Sequence, residues 1–172
     1  ETYKELQQQN RDMPENPTSI VVQPFESGTV KCTSYASFIQ RVTLEWGGEV
    51  IVFQGTGEGV PMLIGGGTST TYHPPSSAQS LTVKMKFEFS ANGGETFEES
   101  WINQEPVVDV SNTGVTTIEM KSEDSPDNDN NDSYLFILLV PPSPSHPVSS
   151  QDYAAVLNSA ENGPYLQIPQ NK

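Results

Sequence analysis

Hydrophobic and polar positions alternate over short segments of the chain, which is the pattern of β-strands. The clearest case is LTVKMKFEF, in which Leu81, Val83, Met85, Phe87 and Phe89 fall on one face and polar residues fall mostly on the other. A period of two with a single apolar face predicts an antiparallel strand that is buried on one side.

Similar segments rich in β-branched and aromatic residues recur along most of the chain. They are TSIVVQP, TVKCTSYA, QRVTLEW, EVIVFQG, ETFEESW, PVVDV, VTTIEMK and YLFILLV, with glycine-containing turns such as GTGEG and NGG between them. About nine short strands at this spacing predict an all-β fold, an antiparallel β-sandwich or a closely related barrel. We predict a polar N-terminal arm over 1–17, the sandwich over 18–140 and a Pro-rich C-terminal extension over 141–172.

Composition limits the classes of partner. A length of 172 residues suits one domain, and the net charge of −14 argues against nucleic acid and anionic membrane surfaces, which require a basic face. No apolar segment is long enough to cross a bilayer, so we expect no membrane insertion. Cys32 is the only cysteine and lies in a strand pattern, which predicts a buried, inert thiol.

The acidic stretch SEDSPDNDNNDSY, residues 122–134, is the strongest candidate for chemistry. Its residues Asp127, Asp129 and Asn131 alternate, and Glu123 and Asp132 bracket them. An extended backbone can direct such alternating oxygen ligands toward one point, and Ca²⁺ accepts six to eight oxygens with loose geometry. Because Mg²⁺ usually retains water ligands, Ca²⁺ is the better match.

The stretch also invites comparison with an EF-hand loop and with a solvated acidic loop. An EF-hand loop beginning at Asp127 fails, because Asp132 stands where glycine is needed and Leu138 where glutamate is needed. A solvated acidic loop is the usual fate of a charge run and remains the alternative to a calcium site.

SEDSPDNDNNDSYLFILLV resembles the calcium-binding loop of the bacterial calcium-dependent fucose/mannose lectins, which reads close to S-E-D-G-T-D-N-D-Y-N-D before a hydrophobic strand. The segment LTVKMKFEFSANG also resembles a strand and turn upstream in that family. The resemblance implies two adjacent Ca²⁺ ions whose coordination is completed by hydroxyl groups of one sugar. It assigns Glu123, Asp127, Asp129 and Asp132 to one ion, and Asp129, Asn131 and Asp132 to the other.

The resemblance also implies sugar contacts from Asp124, Asp127 and the small polar residue Ser37. The chain departs from the family pattern at two positions: Ser125-Pro126 replaces Gly-Thr, and Tyr35 stands where the family has an asparagine ligand. The family lectins form dimers or tetramers, and a terminal glycine carboxylate completes a neighbour's site. This chain continues past the position of that terminal glycine. By resemblance to the family, we expect a homodimer.

The sequence thus predicts a non-catalytic, calcium-dependent carbohydrate-binding protein of lectin type, acting outside the cell or at its surface. The alternative is a structural or adhesive β-sandwich in which calcium only stabilises the acidic loop. An enzyme is the weakest class, since no constellation of catalytic residues is present in the sequence.

Overall fold

The computed structural model describes residues 14–102, 104–124 and 132–142. These residues form ten β-strands and no helix, which confirms the predicted all-β antiparallel fold. The strands are β1 (Thr18–Val22), β2 (Ser27–Trp46), β3 (Glu49–Pro61), β4 (Leu63–Ile64), β5 (Thr71–Tyr72), β6 (Leu81–Ser90), β7 (Glu98–Glu99), β8 (Val107–Val110), β9 (Thr116–Ser122) and β10 (Ser133–Val140). The described part of the chain contains no helix long and apolar enough to span a membrane.

All strand pairs are antiparallel, and the main order is β1-β6-β2-β10-β9-β8. Strand β3 pairs with the other edge of β2, and the two-residue strands β4, β5 and β7 extend the edges. The β2–β3 hairpin turns at Gly47 and Gly48, whose φ angles of 58° and 84° suit a two-residue turn that only glycine adopts easily.

The core lies between the folded halves of this sheet. Alternation places Val83, Met85 and Phe87 of β6 inside, as predicted, and Leu135 and Ile137 of β10 pack into the same cluster. Cys32 is buried among them, and burial raises the pKa of its thiol well above the usual value, which agrees with an inert cysteine.

Strand β2 differs from its predicted form. The sequence indicates two strands, TVKCTSYA and QRVTLEW, but they form one 20-residue strand with an irregularity between Ala36 and Gln40. GTGEG, predicted as a turn, continues β3. Both differences have one cause: β3 pairs along β2 past the irregularity, and this pairing overrides local turn signals.

Two parts of the predicted organisation lie largely outside the described residues. Only 14–17 of the N-terminal arm and 141–142 of the C-terminal extension are described. Within the arm, the Asn16 side chain is buried, donating to the carbonyls of Phe87 and Ser100 and accepting from the Phe87 N–H. Asn16 therefore contacts the β-sheet closely.

Candidate functional site

The site is built on an opening along one edge of β2. Strand β10 pairs with β2 from Ser27 to Ser34, and β6 pairs with it from Ile39 to Glu45. Strand β3 pairs with both parts of β2 along one edge of that strand. Strands β10 and β6 therefore pair, one after the other, along the other edge of β2. We call the resulting gap, at residues 35–38 of β2, the β2 fork.

The two ends of the acidic stretch meet at this fork. The backbone N–H of Asp132 donates to the carbonyl of Ser122 at 3.0 Å, and its carbonyl accepts from the N–H of Tyr35 at 2.9 Å. The N–H of Asp124 donates to Oδ2 of Asp132 at 2.6 Å. The segment between Asp124 and Asp132 thus begins and ends at one point beside β2.

Burial of carboxylates distinguishes this point from an ordinary acidic loop. Glu123 is fully buried, and its backbone exchanges two 2.8 Å hydrogen bonds with Trp101. The side chain of Asp132 is buried as well. A buried carboxylate is costly to ionise unless hydrogen bonds or a cation compensate for the lost water.

A bulge in β2 forms the other side of the fork. Ala36 pairs with Gly57 and Gln40 pairs with Gly55, so three residues of β2 oppose the single residue Thr56 of β3. Bulges redirect side chains, and here both Ser37 and Phe38 are exposed in succession. The carbonyl of Ser37 is held by the Thr56 hydroxyl at 2.9 Å.

Gln40 connects the bulge to the acidic stretch. Its Nε2 donates to Oδ2 of Asp124 at 2.8 Å and, at 3.4 Å, to the carbonyl of Phe38. The sequence interpretation missed this residue, although a signal was present: Gln40 is in phase with the inward-facing Val42 and Leu44 of QRVTLEW.

The structure brings together part of the predicted site. Glu123, Asp124 and Asp132 lie at the fork, and the bulge that carries Ser37 is linked to Asp124 through Gln40. Asp127, Asp129 and Asn131 lie outside the described residues. Within the described ranges, no group of three or more His, Cys, Asp or Glu residues is arranged to hold a metal ion.

The donor chemistry nonetheless fits a hard cation. Glu123 and Asp132 offer carboxylate oxygens from buried positions, and these are the ligands that Ca²⁺ prefers.

Tyr35, which by resemblance stands where the family has an asparagine ligand, has no amide oxygen to offer a cation. Its side chain is 37% exposed and lines a cavity with Glu58, Lys121 and Tyr134. The backbone N–H of Tyr35 donates to the carbonyl of Asp132 in the acidic stretch.

Comparison with known proteins gives matches of two kinds. Two solved structures are similar to this chain, each at 19% sequence identity. A Ralstonia solanacearum high-affinity mannose-binding lectin has a TM-score of 0.52, covering 70% of this chain and 93% of that chain. The Chromobacterium violaceum lectin CV2L, in complex with alpha-methyl-fucoside, has a TM-score of 0.53, covering 72% and 96%. At 19% identity, the structural similarity to these two lectins establishes the fold of this chain alone.

The second match is to a family model. The model of fucose-binding lectin II (PA-IIL) matches residues 22–140, whereas a search of curated protein sequences gave no significant match. Lectins bind carbohydrate without converting it, so the chain is a carbohydrate-binding protein and not an enzyme. Because the matched residues comprise well over half of the sequence, the chain belongs to the fucose-binding lectin II (PA-IIL) family.

Proposed function

We propose that this lectin binds a fucose- or mannose-like glycan in a calcium-dependent manner at the β2 fork. The observation that carries the proposal is the burial of Glu123 and Asp132 at the two ends of the acidic stretch, which the hydrogen bond from Asp124 to Asp132 joins. Buried carboxylates gain from a bound divalent cation, because the cation offsets their lost hydration.

The calcium ligands in this proposal are the side chains of Glu123, Asp127, Asp129, Asn131 and Asp132. The geometry of the two described members supports it, since both are buried and held by backbone hydrogen bonds. When bound, Ca²⁺ supplies positive charge and coordination positions that neutral sugar hydroxyls can fill in place of water. The protein's part is to hold acidic oxygens close together before the ion arrives.

The sugar contacts in this proposal come from Asp124, Asp127 and Ser37. Asp124 accepts a hydrogen bond from a sugar hydroxyl, and a charged acceptor makes this bond stronger than a neutral one would. Ser37 is exposed on the bulge next to the fork, where its hydroxyl can reach a ligand seated on the acidic stretch.

The alternative is a lectin fold in which calcium only stabilises the acidic stretch. Tyr35 favours it, because the phenol lines a neighbouring cavity instead of supplying an amide ligand at the fork. Under this alternative calcium raises the melting temperature and no simple sugar binds.

Isothermal titration calorimetry separates the two functions. Calcium-loaded protein is titrated with methyl α-fucoside, methyl α-mannoside and, as a control, methyl β-xyloside, before and after treatment with EDTA. Heats from fucoside or mannoside that EDTA abolishes and calcium restores support the proposed function. Calcium-dependent thermal stabilisation without sugar heats supports the alternative, and no response to calcium overturns both.

We further propose that the chain assembles as a homodimer. Strand β8 pairs only with β9 among the described residues, and its three valines are exposed. An edge strand with free backbone groups and apolar side chains favours pairing with another chain.

A further inference from the structure

Gln40 has an unusual position for an uncharged polar residue. Its side chain is fully buried, and its backbone pairs with Gly55 of β3 on one edge and Phe89 of β6 on the other. Because strands flank both edges, the backbone of Gln40 is fixed, and its side chain has few alternative directions.

The neighbours of the amide determine its orientation. Both contacts of Nε2, the Asp124 carboxylate and the Phe38 carbonyl, are acceptors. The amide nitrogen must face them, since a flipped amide would direct its oxygen at two other oxygens. Oε1 then points away and is buried without a hydrogen-bond partner among the described residues.

The two ends of this amide have opposite effects. Oε1 is a buried acceptor without a partner, which costs free energy, and methionine, with a similar shape, would avoid that cost. What the glutamine provides and methionine cannot provide is a donor to Asp124. The amide is therefore better explained by its effect on that carboxylate than by packing.

We propose that Gln40 is a positioning residue of the carbohydrate site, orienting the Asp124 carboxylate toward the sugar. The inference rests on the proposed function, in which Asp124 accepts a hydrogen bond from a sugar hydroxyl. The backbone N–H of Asp124 donates to Asp132, and its Oδ2 accepts from Gln40. Loss of the second bond removes a constraint on the direction of the carboxylate.

The same amide couples the two sides of the fork. It bonds Asp124 on the acidic stretch and the Phe38 carbonyl on the bulge, next to Ser37. Gln40 therefore sets the spacing between the two groups proposed to contact the sugar. A change at Gln40 is expected to affect sugar binding more than calcium binding, since neither bond involves a proposed calcium ligand.

The test compares Gln40→Met with the wild type and with Gln54→Met, the same substitution at an exposed position of the adjacent strand β3. The probes are CaCl₂ and whichever of methyl α-fucoside and methyl α-mannoside the wild type binds. We expect Gln40→Met to lower sugar affinity by about tenfold or more, the effect typical of lost supporting contacts. Calcium affinity should stay within about twofold. The melting temperature of the metal-free protein should fall only modestly, because removal of the unsatisfied acceptor Oε1 partly offsets the loss of the hydrogen bond to Asp124.

A double-mutant cycle with Asp124→Ala, which removes the acceptor of the Gln40 hydrogen bond, shows whether Gln40 acts through Asp124. If it does, adding Gln40→Met to Asp124→Ala weakens sugar binding little further. If Gln40→Met fails to fold, Gln40→Asn, which keeps the amide on a side chain one methylene shorter, takes its place in the cycle.

The outcomes distinguish this inference from the function on which it rests. Wild-type sugar affinity in Gln40→Met, additive losses in the cycle, or equal losses of calcium and sugar binding overturn the role of Gln40 and leave the lectin function intact. A wild-type protein that binds neither sugar overturns the proposed function and the inference with it.

Discussion

The backbone N–H of Asp124 donates a 2.6 Å hydrogen bond to the carboxylate of Asp132, which ties together the two ends of the acidic stretch. Asp132 is in turn bound through its backbone to Ser122 and Tyr35. The carboxylate of Asp132 thus has a structural role within the chain in addition to its proposed role as a calcium ligand.

Asp132→Asn separates these two roles. Asparagine keeps an oxygen that can accept from Asp124 and removes one negative charge, so the hydrogen bond survives and cation affinity falls. We expect calcium affinity to fall by about tenfold or more, the loss typical of a disturbed metal site, with the metal-free fold retained. Calorimetry with CaCl₂ measures the affinity, and Asp109→Asn on the exposed strand β8 is the control. Unchanged affinity in Asp132→Asn contradicts the ligand assignment.

Asp129→Ala tests the assignment of a shared ligand. The resemblance to the lectin family has Asp129 contribute to both ions, so its loss is expected to abolish binding of both and not of one alone. The calcium stoichiometry per chain, from equilibrium dialysis with metal analysis, gives the answer. A variant with the wild-type stoichiometry rules out the bridging role, and Asp109→Ala controls for the loss of one surface charge.

Much of the fold could be predicted from the sequence because its strands have one apolar face. YLFILLV follows the acidic stretch directly, and strand β10 runs from Ser133 to Val140 with alternate residues buried. The same alternation of apolar and polar residues predicted strand β6. The pattern could not show which strands pair with one another. It is the pairing with β3 that shows Ala36 and Gln40 to belong to a single strand with a bulge.

The candidate site was predicted in part for a similar reason. Local composition identified Glu123, Asp124 and Asp132, since they are close in sequence. Gln40 lies 84 residues from Asp124, and their hydrogen bond depends on the register among β2, β6 and β10. Glu88, predicted on the polar face of β6, is 8% exposed because Arg41 of β2 compensates for its charge.

Arg41→Met is expected to destabilise the fold through Glu88. The guanidinium lies 3.0 Å from Oε1 of Glu88 and packs 3.6 Å from the centre of the Phe97 ring. Without it the cationic partner that remains to the buried carboxylate among the described residues is Lys86, at 3.5 Å. The free energy of unfolding should fall by about 1–3 kcal/mol, the cost of leaving a buried polar group poorly satisfied.

Urea unfolding of the metal-free protein measures this loss. Lys86→Met serves as the control and should have a smaller effect, because Lys86 is more exposed and makes the longer contact. Adding Glu88→Met to Arg41→Met should recover part of the stability, since replacing both members of a buried pair is often near neutral. A double variant no more stable than Arg41→Met would contradict this account.

Val108→Lys tests the proposed homodimer. Val108 is exposed on edge strand β8, and a lysine there adds charge where a second copy of the strand would pair. Light scattering coupled to size-exclusion chromatography should show dimeric wild type and monomeric variant, both with the same circular dichroism spectrum. Val50→Lys, at an exposed valine of β3, controls for the added charge. A dimer that persists in Val108→Lys excludes β8 as the contact.

Tyr134 should make stability fall with rising pH in the alkaline range. Burial, and next its hydrogen bond to Glu119, raise the pKa of Tyr134 from 10.0 to about 12. Below pH 10 the phenol is protonated in both folded and unfolded states, so its contribution is complete. Between pH 10 and 12 the unfolded chain releases this proton and the folded chain retains it, and the contribution is progressively lost as the pH approaches 12.

Ultraviolet absorbance titration measures tyrosinate formation directly. The pKa of Tyr72 is also raised to about 12, so Tyr72 and Tyr134 should both titrate at higher pH than a free tyrosine. Tyr134→Phe should remove one of the tyrosines that titrate near pH 12 and should reduce the loss of stability above pH 10. Glu119→Gln should lower the pKa of Tyr134 by removing a nearby negative charge, while Glu45→Gln, at an exposed carboxylate of β2, should leave it unchanged. If Tyr134→Phe leaves unchanged the number of tyrosines that titrate near pH 12, the Tyr134–Glu119 hydrogen bond does not hold the proton.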